Sequence, residues 1–118
     1  MNSPLWLGVT LGVCAWTSMG ANWPSWRGPN QDQTTPETRF PLTWNRDTHV
    51  KWRVALPEAG NSSPIVWGET VFVTQALEDG KQRTVMAFDR ASGKLLWQKG
   101  VTYEVPDPRH QANPHCAA

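Results

Sequence analysis

The sequence predicts an all-β fold with one four-stranded antiparallel sheet at its centre, and three observations carry that prediction. Residues 70–99 contain three short apolar runs, Val71-Phe72-Val73, Val85-Met86-Ala87-Phe88 and Leu95-Leu96-Trp97, rich in β-branched and aromatic side chains. None is long enough for a helix. The gaps between them hold Glu78-Asp79-Gly80 and Asp89-Arg90-Ala91-Ser92-Gly93, each ending in a glycine that can take the positive φ of a chain reversal. A fourth run, Ile65-Val66-Trp67, follows Ser62-Ser63-Pro64 and is linked to the first by the tight Gly68-Glu69.

The expected strands are therefore 63–67, 70–76, 83–89 and 94–99, each antiparallel to the next. Their runs are apolar at successive rather than alternate positions, so both faces of the sheet are expected to be covered. Asp89 suits the start of its turn, because a carboxylate there accepts hydrogen bonds from the backbone N–H groups that follow. Gly93 supplies the left-handed position. Trp97, a large side chain with a single donor, suits an interface.

Ala87, Asp89, Gly93 and Trp97 stand at the spacing alanine-x-aspartate-x-x-x-glycine-x-x-x-tryptophan, with Ser92 at the position often taken by threonine. This pattern resembles the tryptophan-docking motif of the pyrroloquinoline-quinone-type (PQQ-like) β-propeller repeats. The resemblance implies that residues 50–100 form one propeller repeat with a complete blade at 63–99, and that a docking tryptophan packs between adjacent blades with its indole N–H on a backbone acceptor. Serine-serine-proline before the innermost strand is also typical of that family.

Taken in order, residues 1–26 carry no charged side chain, and Leu5-Trp6-Leu7-Gly8-Val9 and Leu11-Gly12-Val13-Cys14-Ala15-Trp16 form a broken apolar core. This looks like a secretory signal peptide over 1–21, cleaved after Gly20 or Ala21, and too short and glycine-broken for a membrane span. The expected location is the periplasm or outside the cell. Leu11-Gly12-Val13-Cys14 is similar to a lipoprotein signal, but valine before the cysteine fits that site poorly, and simple export ranks above lipidation.

Residues 22–49 read as an irregular arm. The arm opens with Asn22-Trp23-Pro24-Ser25-Trp26-Arg27-Gly28-Pro29, similar to the segment that follows the signal peptide in many exported propellers. Trp23 and Trp26 are expected to anchor the arm rather than to stack on a ligand. Val50, Trp52, Val54 and Leu56 alternate along the chain and predict a further strand. Trp52 resembles a docking tryptophan without its own alanine-aspartate-glycine half. In closed propellers such a first strand completes the last blade, which this sequence does not contain.

Residues 101–118, with Pro106, Pro108 and Pro114, read as a loop toward a second blade. On this reading the chain is the amino-terminal piece of a longer propeller, its partners being the remaining blades or another protein. A single blade open on both faces buries too little surface to offset chain entropy. Once a signal peptide removes Cys14, Cys116 has no intrachain partner.

The chemistry is sparse. A net charge of +1, with no basic run interleaved with aromatics, argues against nucleic acid. Asp107, His110, His115 and Cys116 lie close in sequence but lack a structural zinc spacing, so no metal site is assigned. There is no glycine-rich phosphate loop and no serine nucleophile elbow. No catalytic or cofactor-binding residue is assigned either.

Quinoprotein dehydrogenases of this fold hold the quinone and a calcium ion at the ring centre, with residues from many blades. PQQ and calcium are therefore expected only if a full-length protein is catalytic. The resemblance implies an exported, non-catalytic binding or assembly scaffold. The alternatives are the amino-terminal part of a PQQ-dependent dehydrogenase and a nonfunctional gene fragment.

Overall fold

Four strands run in sequence order across one antiparallel sheet: β1 (Ile65–Trp67), β2 (Thr70–Leu77), β3 (Gln82–Asp89) and β4 (Leu95–Thr102). The structure is a computed structural model that describes residues 21–105 and Pro108. The expected signal peptide, except Ala21, and the His110, His115 and Cys116 group lie outside the described residues. Among the described residues there is no helix.

Each connection follows from its residues. Gly68 opens the two-residue β1–β2 loop with φ +56°, the glycine-first arrangement whose twist matches flanking strands. In the β2–β3 loop the left-handed conformation extends beyond the expected Gly80. Glu78 and Asp79 take φ of 53° and 50°, and the Gly80 N–H donates to the Leu77 carbonyl at 3.1 Å. Two consecutive positive φ values closed by that bond are the type I′ turn that right-twisted strands favour, with Asp79 the better suited of the two residues.

Two strand ends differ from expectation by more than one residue. β1 begins at Ile65 rather than at residue 63, since Pro64 has no N–H to give to a ladder. β4 continues to Thr102 because β3 starts at Gln82, and Gln82 pairs with Thr102. The loop expected from residue 101 therefore starts at Tyr103, whose N–H donates to the Lys81 carbonyl at 2.7 Å.

Strand alternation sorts the side chains into two faces with different fates. On one, the cross-strand pairs Val71–Phe88, Val73–Met86 and Gln75–Thr84 form the core. Gln75 is 2% exposed, and its Oε1 accepts the Glu58 N–H at 3.0 Å. The Thr84 hydroxyl donates to the Gln75 carbonyl at 3.2 Å. The chain before β1 thus reaches this face and supplies the partner that a buried amide needs. That chain carries the alternating pattern over 50–56, and the expected strand does not form there. The segment is held by Trp52 and Glu58 rather than by a ladder, and within 50–56 only Trp52 is not exposed.

The other face, for which the sequence also calls for a covering neighbour, is open among the described residues. Ile65, Phe72, Ala87 and Trp97 are register partners in one row across all four strands. Val85 and Trp97 remain 39% and 41% exposed. The arm itself is tied to the first edge of the sheet, where Trp23 and Val66 exchange backbone hydrogen bonds of 2.8 and 2.9 Å.

Replacing Gln75 with alanine should destabilise the chain by about 2 kcal/mol, since it empties a buried volume and leaves the Glu58 N–H unpaired. Urea unfolding followed by tryptophan fluorescence measures it. A change within error of zero would mean that the segment before β1 does not lie on this face.

Candidate functional site

The Asp89–Gly93 turn and the open face beside it are where sequence pattern and geometry converge. The turn is closed by backbone bonds from Gly93 N–H to the Asp89 carbonyl and from Asp89 N–H to the Lys94 carbonyl, both at 2.8 Å. Asp89 Oδ1 accepts the Ser92 N–H at 2.7 Å and the Ser92 hydroxyl as well. These two bonds, the hydroxyl's foremost, hold the Asp89 carboxyl below the ordinary aspartate value, and the Lys51 ammonium adds to the effect. Arg90 joins this turn to the β1–β2 loop: its N–H donates to the Glu69 carbonyl at 2.9 Å and its guanidinium to the Gly68 carbonyl at 3.2 Å.

Gly93 takes φ +73°, and its missing side chain is filled by an indole. A Cβ built there would lie 2.6 Å from Cδ2 of Trp52. The Trp52 indole N–H donates to the Arg90 carbonyl at 2.9 Å. A tryptophan therefore rests on the turn with its single donor satisfied, and it is Trp52. The requirement for glycine is twofold, conformational and steric. The sequence marks Trp52 as similar to a docking tryptophan but does not connect it to this turn. The long stretch of chain between Trp52 and Gly93 hides the contact, since no local spacing reports it.

Trp97 lies on the open face, opposite Ala87 in register. Ala87 is fully buried, and it stands between Phe72 on β2 and Trp97 on β4. Its small side chain lets the two rings meet above it, with centroids 5.9 Å apart and planes inclined at 53°. A larger residue at 87 would hold them apart. Thus Ala87 belongs to the aromatic row, while Asp89, Ser92 and Gly93 belong to the turn.

Around that pair the open face forms a depression of ≈ 550 Å³, lined chiefly by Ser62, Ile65, Phe72, Thr74, Val85 and Trp97. The Thr74 hydroxyl in its wall is buried and has no hydrogen-bond partner. Ser62 turns instead to the backbone, its hydroxyl accepting the Thr74 N–H at 2.9 Å. Apolar rings and unionised hydroxyls can hold a surface by burial and hydrogen bonding. They offer no general base or charge for chemistry.

The two arm tryptophans part company. Trp23 anchors as expected: a Cβ on Gly28, at φ +75°, would lie 2.6 Å from its ring, and Gly68 N–H donates to the neighbouring Asn22 Oδ1 at 2.7 Å. Trp26 does not anchor. It is 66% exposed, with the Arg27 guanidinium 5.4 Å from its ring centroid. Among the described residues no three of His, Cys, Asp and Glu stand close enough to share a metal ion. No helix among them is long and apolar enough to cross a membrane.

No family model, curated protein or solved structure matches this chain. The family resemblance thus stands on the sequence pattern of Ala87, Asp89, Ser92, Gly93 and Trp97 and on the β3–turn–β4 unit that carries it.

Trp52→Ala should cost about 2 kcal/mol or more, through lost burial and an orphaned Arg90 carbonyl, and Trp52→Phe about 1 kcal/mol through the carbonyl alone. Gly93→Val should cost about 3 kcal/mol from the strained φ and the collision with the indole. Trp97→Ala should cost less than Trp52→Ala, because Trp97 is already 41% exposed. Chemical denaturation of the four variants gives the ranking, and a larger loss at Trp97 would contradict it.

The lowered pKa of Asp89 also sets a pH dependence. A depressed folded-state value contributes stability that is present above the unfolded-state value and lost as pH falls through the folded one. In Asp89→Asn that acid-limb contribution should disappear, leaving a flatter stability profile below the ordinary aspartate pKa of about 3.9. Denaturant midpoints measured across the acid range test this, and an unchanged slope would show that Asp89 does not couple to folding.

Proposed function

We propose that this chain is an exported β-propeller repeat protein of the PQQ-like type that acts as a non-catalytic binding or assembly scaffold, with residues 63–99 as one blade. The observation that carries the reading is the pairing of a satisfied turn with an unsatisfied face. Trp52 already occupies the Gly93 turn, while Ile65, Phe72, Val85 and Trp97 on the open face await cover. A sheet of this form gains stability by stacking, and repeat architectures provide a neighbour for each such face.

The scaffold reading is preferred to catalysis because the depression offers rings and hydroxyls without a titratable group. In the proposed arrangement β1 is the innermost strand and β4 the outermost. The partners are further blades of the same architecture or another protein that covers the row from Ile65 to Trp97. A fold alone assigns no activity, so the function rests on this face.

Two measurements test the proposal. Mass spectrometry of protein recovered from a bacterial periplasm should give an amino terminus at Ala21 or Asn22 without an acyl chain. An intact Met1 would refute export, and a lipid on Cys14 would replace it with membrane anchoring. Titration of the purified chain with pyrroloquinoline quinone and calcium should show neither binding heat nor dye-linked alcohol or sugar oxidation. Quinone-dependent turnover would overturn the non-catalytic reading.

A further inference from the structure

The two edges of the sheet are unlike. At the first, β1 is three residues long, follows Pro64, and is capped by the Trp23–Val66 bridge and by Asn22 on Gly68. At the second, β4 is eight residues long and exposed along its whole length, and no described strand pairs with its outer side. Such a row of unpaired N–H and C=O groups is a template for another strand unless something blunts it. The blunting on β4 is slight. There is one irregularity, where Leu96 bulges between the Phe88–Leu95 and Ala87–Trp97 pairs, and one charge, Lys99, whose Nζ lies 5.9 Å from the centre of the Trp97 ring.

We infer that β4 is a self-association edge, pairing antiparallel with β4 of a second copy about a two-fold axis at Gln98. An isologous contact of this kind needs a strand that is complementary to itself, and of the registers centred at residues 97 to 100 the one at Gln98 meets this best. With the axis at Gln98, Trp97 of each copy stands directly opposite Lys99 of the other, so each ring receives an ammonium group across the new strand pair. With the axis at Lys99, two ammonium groups face one another. With the axis at Trp97, the bulged Leu96 falls in the pairs next to the centre, whereas with the axis at Gln98 it lies one pair further out, opposite Gly100. With the axis at Gly100, the centre is two glycines with no side chains to pack.

The inference goes beyond the scaffold reading and does not depend on it. In the proposed ring β4 is the outermost strand, so stacking of blades on the faces leaves this edge free. The open face is then covered by one kind of neighbour, and the β4 edge by a second copy.

The test uses the full chain with Cys14 and Cys116 changed to serine and with Gln98→Cys. A short bismaleimide should convert it to a covalent dimer, and sedimentation of the parent chain should show a dimer at micromolar concentration. Trp97→Lys sets an ammonium group against Lys99 of the second copy and should abolish both signals. Adding Lys99→Glu to that variant should restore them, because the introduced lysine of each copy would then face the introduced glutamate of the other across the axis. Circular dichroism of each variant separates dissociation from unfolding, and the Gln98→Cys result stands even if Trp97→Lys does not fold. A parent chain that sediments as a monomer would overturn the inference. So would a dimer that cross-links through Phe72→Cys but not Gln98→Cys, since that places the contact on the open face.

Discussion

The indole of Trp52 lying on the Gly93 turn is the contact on which the arrangement depends. It joins a segment with no ladder of its own to the end of the sheet. From there the chain reaches Gln75, and the Glu58 N–H closes the far side. Without a glycine at 93 the ring has no seat, and without the indole N–H the Arg90 carbonyl loses its partner. The turn is itself rigid, held by Asp89 on Ser92 and by Arg90 on the β1–β2 loop. A rigid turn is what lets one aromatic side chain position a stretch of otherwise irregular chain.

From this contact follows the asymmetry of the sheet. Val73, Met86 and Phe88 are buried on one side, while Ile65, Phe72, Val85 and Trp97 on the other share an open depression. The edges repeat the contrast, one capped by Trp23 and the other bare along β4. Burial of apolar area is the main driving force for folding, so a sheet with one finished side is stable in proportion to what reaches the other. The proposed scaffold role is the functional form of that incompleteness.

Much of the candidate site was legible in the chain. Asp89, Ser92 and Gly93 announce a capped turn, because their roles are local and are set by hydrogen-bond reach and φ preference. Trp97 announces an interface residue, since a large side chain with one donor suits such a place, whereas its position opposite Ala87 came only with the register. The occupant of the turn was not legible. A tryptophan thirty-eight residues before its carbonyl acceptor has no spacing rule, and two other tryptophans, at 67 and 97, stood closer in sequence.

The sequence by itself determined the strand order, the antiparallel pairing and the sites of reversal, since short apolar runs separated by glycine-ended turns admit few other folds. It also predicted an alternating strand over 50–56, where the tertiary structure decided otherwise, and it marked both faces as needing cover, of which the tertiary structure supplies one. Alternation states which side of a segment prefers burial and says nothing of whether a hydrogen-bonding edge lies within its reach. Apolar residues on both faces state that each prefers cover, whereas the supply of cover is a property of the whole chain. Among the described residues, the segment that crosses the sheet is committed, through Trp52 and Glu58, to the turn and to one face.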